Sequence, residues 1–228
     1  MTTYTPAQLA LIEKHRDWNV DDGFWHECVT SEFKEDCADF GIPVSRTGFS
    51  GFWSQGDGAH FTTDNFSAAE VMRKGAESLA TPDYANPDEF TGYRKALYDF
   101  YLMFATPLEP VMLTSPEGRE FCESACMQVE KNGWYAHSGG MRLSDDSVSN
   151  IDPDLEGYAT FVDAAPTDEE IIEALRAIAN ELYAALEAGH EYLTSDDAVW
   201  ESLQANDIDV EPEDDEDDED DEEVRGAA

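Results

Sequence analysis

Hydrophobic positions recur every three or four residues along most of this chain. That period predicts helices, broken by two short stretches of alternating character. Thr5-Pro6 opens the first helix, with threonine as cap and proline at the first helical position. Leu9, Leu11 and Ile12 continue it as a stripe that fades near Trp18. From Asp22 a second helix carries Trp25, Cys28, Val29, Phe33, Cys37 and Phe40, and Gly41 followed by Pro43 closes it. Ser67-Ala68-Ala69-Glu70 has the form of a capping box, so a helix should run on to about Leu79 through Ala68, Val71, Met72 and Ala76. Two prolines make 81–87 a loop. The next helix, Asp88 to Ala105, bears Phe90, Tyr93, Leu97, Phe100, Tyr101 and Phe104 on one broad face, a pattern that marks core and not a cofactor pocket. Thr167-Asp168-Glu169-Glu170 is a second capping box. It opens the longest helix, carried by Ile171, Leu175, Ile178, Leu182, Ala185, Leu186 and Leu193. Ser195-Asp196-Asp197 starts a short last one through Leu203.

Between the helices the period shortens. Residues 48–61, Gly-Phe-Ser-Gly-Phe-Trp-Ser-Gln-Gly-Asp-Gly-Ala-His-Phe, put aromatics and small residues on either side of a Gly56-Asp57-Gly58 tip. They read as two strands and a tight turn, because glycine takes positive φ freely. Asn132-Gly133 is a second hairpin signal. With those two residues as the turn, Lys131 faces Trp134 and Glu130 faces Tyr135, and Trp134 shares a buried face with Phe121, Met127, Val129 and Ala136. A competing reading makes residues 117–131 a helix that stops at Asn132-Gly133. Residues 145–166 read as irregular, with one short strand at 157–162.

The expected class is therefore α+β. A small antiparallel sheet of two hairpins is packed by five to six helices in a single domain over residues 1–206, and an acidic tail over 207–228 should be disordered. No apolar run long enough to span a bilayer occurs, and the first residues lack a basic and apolar leader, so a cytoplasmic, membrane-free protein is expected. The four cysteines have no zinc-knuckle spacing and read as free thiols, and no cofactor is indicated.

Charge changes this picture most. The chain holds 52 acidic against 13 basic residues, a net of −39. Fourteen of the acids and one of the bases lie in the tail, which still leaves 38 acids against 12 bases in the body. Such a field repels nucleic acid and anionic lipid and draws in basic proteins at salt-sensitive rates. Adaptation to high salt would produce the same excess.

The stretch Ser50 to Ala59 resembles the core signature of a family of small proteins met in bacteriophage and prophage genomes. Members share a later Tyr135-x-His137-Ser138-Gly139 motif and a helical end like Leu182-Tyr183 through Glu191-Tyr192-Leu193-Thr194-Ser195, so the likeness covers roughly residues 8–206. Such proteins are loosely labelled antitoxin-like. The resemblance implies a phage accessory protein without an established activity, and the acidic tail after Asp207 departs from it.

Three kinds of chemistry remain open at this point. Phe52, Trp53, Ser54, Gln55, Asp57, Tyr135 and His137 are the candidate binding residues, Phe52 or Trp53 serving as a hydrophobic anchor for a basic host protein. The carboxylates would then mimic the phosphate row of DNA and inhibit that partner, in an antitoxin-like or counter-defence role; a solvated, solubilising surface is the simpler explanation. In the alternative, Asp57, His60, His137 and Ser138 line a polar cleft between the two hairpins that binds a small molecule or hydrolyses one. Against both stands an ordinary turn, in which Asp57 accepts its own loop's N–H groups and each histidine merely ties one hairpin to the other.

Overall fold

A computed structural model of the chain describes residues 3–21, 23–144 and 153–208. In chain order the elements are α1 (Pro6–Lys14), α2 (Glu27–Asp39), β1 (Val44–Ser50), β2 (Gly58–Thr63), β3 (Phe66–Ser67), α3 (Ala68–Leu79), α4 (Gly92–Thr114), α5 (Pro116–Ser124), β4 (Cys126–Met127), β5 (Val129–Lys131), β6 (Met141–Leu143), α6 (Tyr158–Ala164), α7 (Asp168–Leu193) and α8 (Asp196–Ala205). The class is α+β. The strands form antiparallel pairs, β1 with β2, β3 with β4 and β5 with β6.

Local chemistry explains most helix starts. Thr5 accepts from the Gln8 N–H while the Gln8 side chain accepts from Thr5 N–H, a reciprocal cap with Pro6 behind it. Thr167 and Glu170 make the same exchange at the head of α7. Ser67 and Ser195 cap α3 and α8 from one side only.

The described chain divides into two compact units, Gly23–Tyr192 and a smaller one drawn from both ends. In the smaller one Ile12, Val199 and Leu203 bury against each other, with Tyr4, Leu11 and Trp200 around them. In the larger unit the core gathers Phe33 and Phe40 of α2, Phe61 of β2, Leu97, Phe100 and Leu108 of α4, Phe121 of α5, Met127, Met141, and Leu175, Ile178 and Leu182 of α7.

Three readings need correction. The helix placed at Asp88–Ala105 begins at Gly92 and runs to Thr114 through Pro107 and Pro110. Each proline removes an internal hydrogen bond at a cost of roughly 3 kcal/mol, but burial of Phe104, Ala105 and Leu108 holds the helix on course. The strand expected at 157–162 is helix α6, because Phe161 buries against Phe121 with their ring centroids 5.5 Å apart. The second hairpin keeps β5 but does not return at Asn132-Gly133. Lys131 pairs with Met141, Glu130 with Arg142 and Val129 with Leu143, across a loop of residues 132–140. The competing helix also fails, since α5 stops at Ser124. Burial decides the register: Met141 and Val129 are enclosed, while Trp134, placed in the core by the two-residue turn, is 100% exposed.

The two ribbons do meet, although not as one continuous sheet. At the end of β2 the Thr63 hydroxyl accepts from the Val129 N–H at 2.9 Å, a side chain standing where a ladder carbonyl would be. Most of the acidic run, from residue 209, lies outside the described residues, and so do residues 145–152 of the stretch read from sequence as irregular.

Candidate functional site

The β1–β2 loop, residues 51–57, and the β5–β6 loop, residues 132–140, lie against each other at one end of the larger unit. Two glycines permit this. A Cβ on Gly56 would sit 2.9 Å from the Tyr135 ring, and Gly56 also holds φ +103°, a region side chains disfavour. A Cβ on Gly58 would come within 2.7 Å of the His137 Cα. His60 on β2 completes the contact by donating from Nδ1 to the Ala136 carbonyl at 2.8 Å. That bond assigns the proton of the neutral ring to Nδ1. Burial holds the His60 pKa below the ordinary histidine value, and the charge of Lys131 pushes the same way, against the bond to Ala136.

Asp57 organises its own loop. Its Oδ2 accepts from the Ser54 N–H at 2.5 Å and the Trp53 N–H at 2.9 Å, and its Oδ1 accepts from the Ser50 hydroxyl at 3.2 Å. These bonds, Ser54 first, lower its pKa below the usual aspartate value. In the facing loop His137 Nδ1 accepts from the Gly139 N–H at 3.1 Å, and buried Ser138 donates to Asn180 of α7 at 2.7 Å. Tyr135 stacks on His137 with centroids 5.9 Å apart and planes 14° from parallel. The structure thus brings His60, Tyr135, His137 and Asp57 to one end of the fold, yet no hydrogen bond joins Asp57, His60, His137 and Ser138 to one another. Each is tied to a scaffold group. A nucleophile needs a base within hydrogen-bond reach, and among the described residues the Ser138 hydroxyl donates to an amide oxygen.

The remaining candidates sit at the surface. Phe52 is half-buried, with its ring 5.0 Å from His190 and 5.5 Å from Tyr183. Trp53 meets His190 edge-on at 5.5 Å and Phe52 edge-on at 6.1 Å, and is 82% exposed. Ser54 and Gln55 are exposed at the crest of the loop.

Several participants were not picked out from sequence. Trp25 and Phe49 join Phe52 and His190 in one aromatic cluster, with centroids of neighbouring rings 5.0–6.2 Å apart. Tyr183 donates its hydroxyl to the Gly51 carbonyl at 2.9 Å and so anchors the loop to α7. Gly48 gives the one sequence signal that could have found this, since any side chain there would strike the His60 ring at 2.6 Å.

Among the described residues no three His, Cys, Asp or Glu side chains lie together as a metal ion requires. The cysteines are free; burial raises the thiol pKa of Cys37 well above the ordinary value and that of Cys122 to about 11, so neither is an activated nucleophile. No helix among the described residues is long and apolar enough to cross a membrane.

Comparison with known proteins adds a family. The model of the domain of unknown function DUF8835 matches residues 25–196, which takes in both loops, the aromatic cluster and all of α7. No curated protein and no solved structure matches the chain.

Proposed function

The chain belongs to the DUF8835 family, a domain of unknown function, and from its own residues we propose that it is an acidic interaction protein that binds and inhibits a basic, nucleic-acid-binding partner. One observation carries this reading. Helix α7 presents exposed carboxylates at Asp168, Glu169, Glu170, Glu173 and Glu181 and only one guanidinium, Arg176, in a chain whose 13 bases cannot balance 52 acids however they are placed. The local ion pairs make the same point, since Arg16, Arg73, Arg94, Lys95, Arg142 and Arg176 are already engaged by carboxylates of their own surroundings.

Carboxylates three and four residues apart on a helix lie about 5–6 Å from one another, close to the spacing of phosphates along a strand. A groove built for DNA would meet a similar row of charge. The phage-type signature at Ser50–Ala59 suggests the setting, a cytoplasmic counter-defence or antitoxin-like role against a host factor. The geometry gives less support to a hydrolytic cleft, because Asp57, His137 and Ser138 each bond to scaffold groups.

Affinity capture from host lysate with mass spectrometry, at low and at moderate salt, tests the reading. One basic protein should be retained, should be lost steeply as salt rises, and should have its nucleic-acid activity blocked by the purified chain. Retention of no basic protein, or retention indifferent to salt, would overturn it.

A further inference from the structure

Of the six exposed aromatic side chains among the described residues, three lie on the two facing loops: Trp53 is 82% exposed, Trp134 100% and Tyr135 66%. A single exposed ring needs no explanation, but two tryptophans and a tyrosine on two touching loops make this end of the unit an interaction surface to test. The loops are also held in place. Asp57 ties down 53 and 54, Tyr183 ties down Gly51, and the Gly56 and Gly58 contacts set the second loop against the first. Rings presented on fixed backbone lose little freedom on binding, which suits them as anchors.

Charge specifies the occupant. No lysine or arginine occurs between Arg46 and Arg73, or between Arg176 and the end of α7. The Tyr183 phenol beneath Phe52 has its pKa raised, by burial first and then by the charges of Glu187 and Asp57. Lys131, at the foot of the second loop, donates to the carbonyls of Asn132 and Gly133. The face of an indole attracts a cation, most often arginine. A second copy of the chain brings another net charge of −39 and is repelled.

We propose that Trp53, with Trp134 and Tyr135 on the facing loop, is the docking point for an arginine-bearing segment of the basic partner, the guanidinium lying over the Trp53 indole with Asp57, whose carboxylate accepts from the Trp53 N–H, as its counter-charge. This rests on the acidic-inhibitor reading and names the contact within it. The carboxylate row then supplies steering, and the loops supply the specific grip.

The test uses the full chain and a labelled short peptide of alternating arginine and glycine, with a citrulline-for-arginine version as the uncharged control. Anisotropy should show binding that weakens with salt. Trp53→Ala should lower the affinity about 3- to 30-fold with an unchanged circular dichroism spectrum, Trp53→Phe should lower it less, and the citrulline peptide should not bind. In NMR spectra the indole N–H signals of Trp53 and Trp134 should move at lower peptide concentration than those of Trp18, Trp25 and Trp200. Salt-sensitive binding that is unaltered in Trp53→Ala and Trp134→Ala overturns the docking point and leaves the acidic reading standing. Equal binding of the citrulline peptide overturns the cationic occupant. No binding of the arginine peptide overturns both.

Discussion

Two aspartates of the same unit are held in opposite ways. Asp36, on α2, is 3% exposed and accepts from the Tyr84 hydroxyl at 2.5 Å and from Arg94 Nε at 2.6 Å. Burial, and next the bond to Asp36, hold the Tyr84 phenol protonated far above its ordinary range, while Asp36 raises the pKa of the Arg94 guanidinium. Asp57 accepts three hydrogen bonds, but all from the ribbon that carries it, at Ser50, Trp53 and Ser54. In the helical body a carboxylate is matched to a cation and locks α2 to α4. At the loop tip the carboxylate is matched to two backbone N–H groups and the Ser50 hydroxyl, with no ion pair among the described residues, which shapes the loop and leaves its charge uncompensated by a cation. Acidity in this molecule therefore has two separable roles, and the substitutions below pull them apart.

The largest effect is expected at the buried pair. Arg94→Ala leaves Asp36 enclosed with only Tyr84 as donor. Stranding a buried charge costs about 3–5 kcal/mol, and because Arg94 is itself 38% exposed on its side chain we expect about 2–4 kcal/mol, read as a lowered urea midpoint. A loss under about 0.5 kcal/mol would put Asp36 in the same class as Asp57 and remove the contrast. Next comes Gly58→Ala, which forces a methyl into the 2.7 Å approach to His137 and should cost about 1–3 kcal/mol by overpacking. It should also separate the loops, and peptide affinity would fall with stability. A neutral Gly58→Ala would mean that the two loops do not rely on each other.

What could be read from sequence follows from how local each interaction is. The caps at Thr5, Ser67, Thr167 and Ser195 and the stripe on α7 were legible because their partners lie within four residues. The β5–β6 register was not. Asn132-Gly133 is a strong turn signal, but the enclosure of Met141 sets the pairing, and its neighbours in the core come from distant elements. Helix α6 was missed because the seven residues of Tyr158–Ala164 carry too little period to tell helix from strand, and Phe121, which settles it, lies on another helix. At the tip, the approach of the two ribbons was expected, but Tyr135 and His137 belong to the loop of residues 132–140 and not to a strand returning from Asn132-Gly133. The tethers were not expected: Asn180 lies forty-two residues from Ser138, and Tyr183 lies 132 residues from Gly51. Motif reading finds the groups that a loop displays, whereas the groups that hold it sit on an unremarkable helix face.

The smallest expected effect is the most diagnostic of the contrast. Asparagine in place of Asp57 keeps one oxygen for the Trp53 and Ser54 N–H groups and discards the charge. The folded pKa of Asp57 lies below its unfolded value, so the fold favours the ionised form. Its contribution is complete above the ordinary aspartate value and is lost as pH falls through the lowered one. Unfolding in urea across a pH series should therefore show a small stability difference between wild type and Asp57→Asn. It should stay constant from neutral pH down towards the aspartate range and then close in stronger acid. Protonation of the other carboxylates relieves repulsion in both proteins alike, so it cancels from the difference. A difference that persists unchanged into acid would mean that the loop holds Asp57 by shape and not by charge, and Asp57 would then have no claim to serve as counter-charge for a docked arginine.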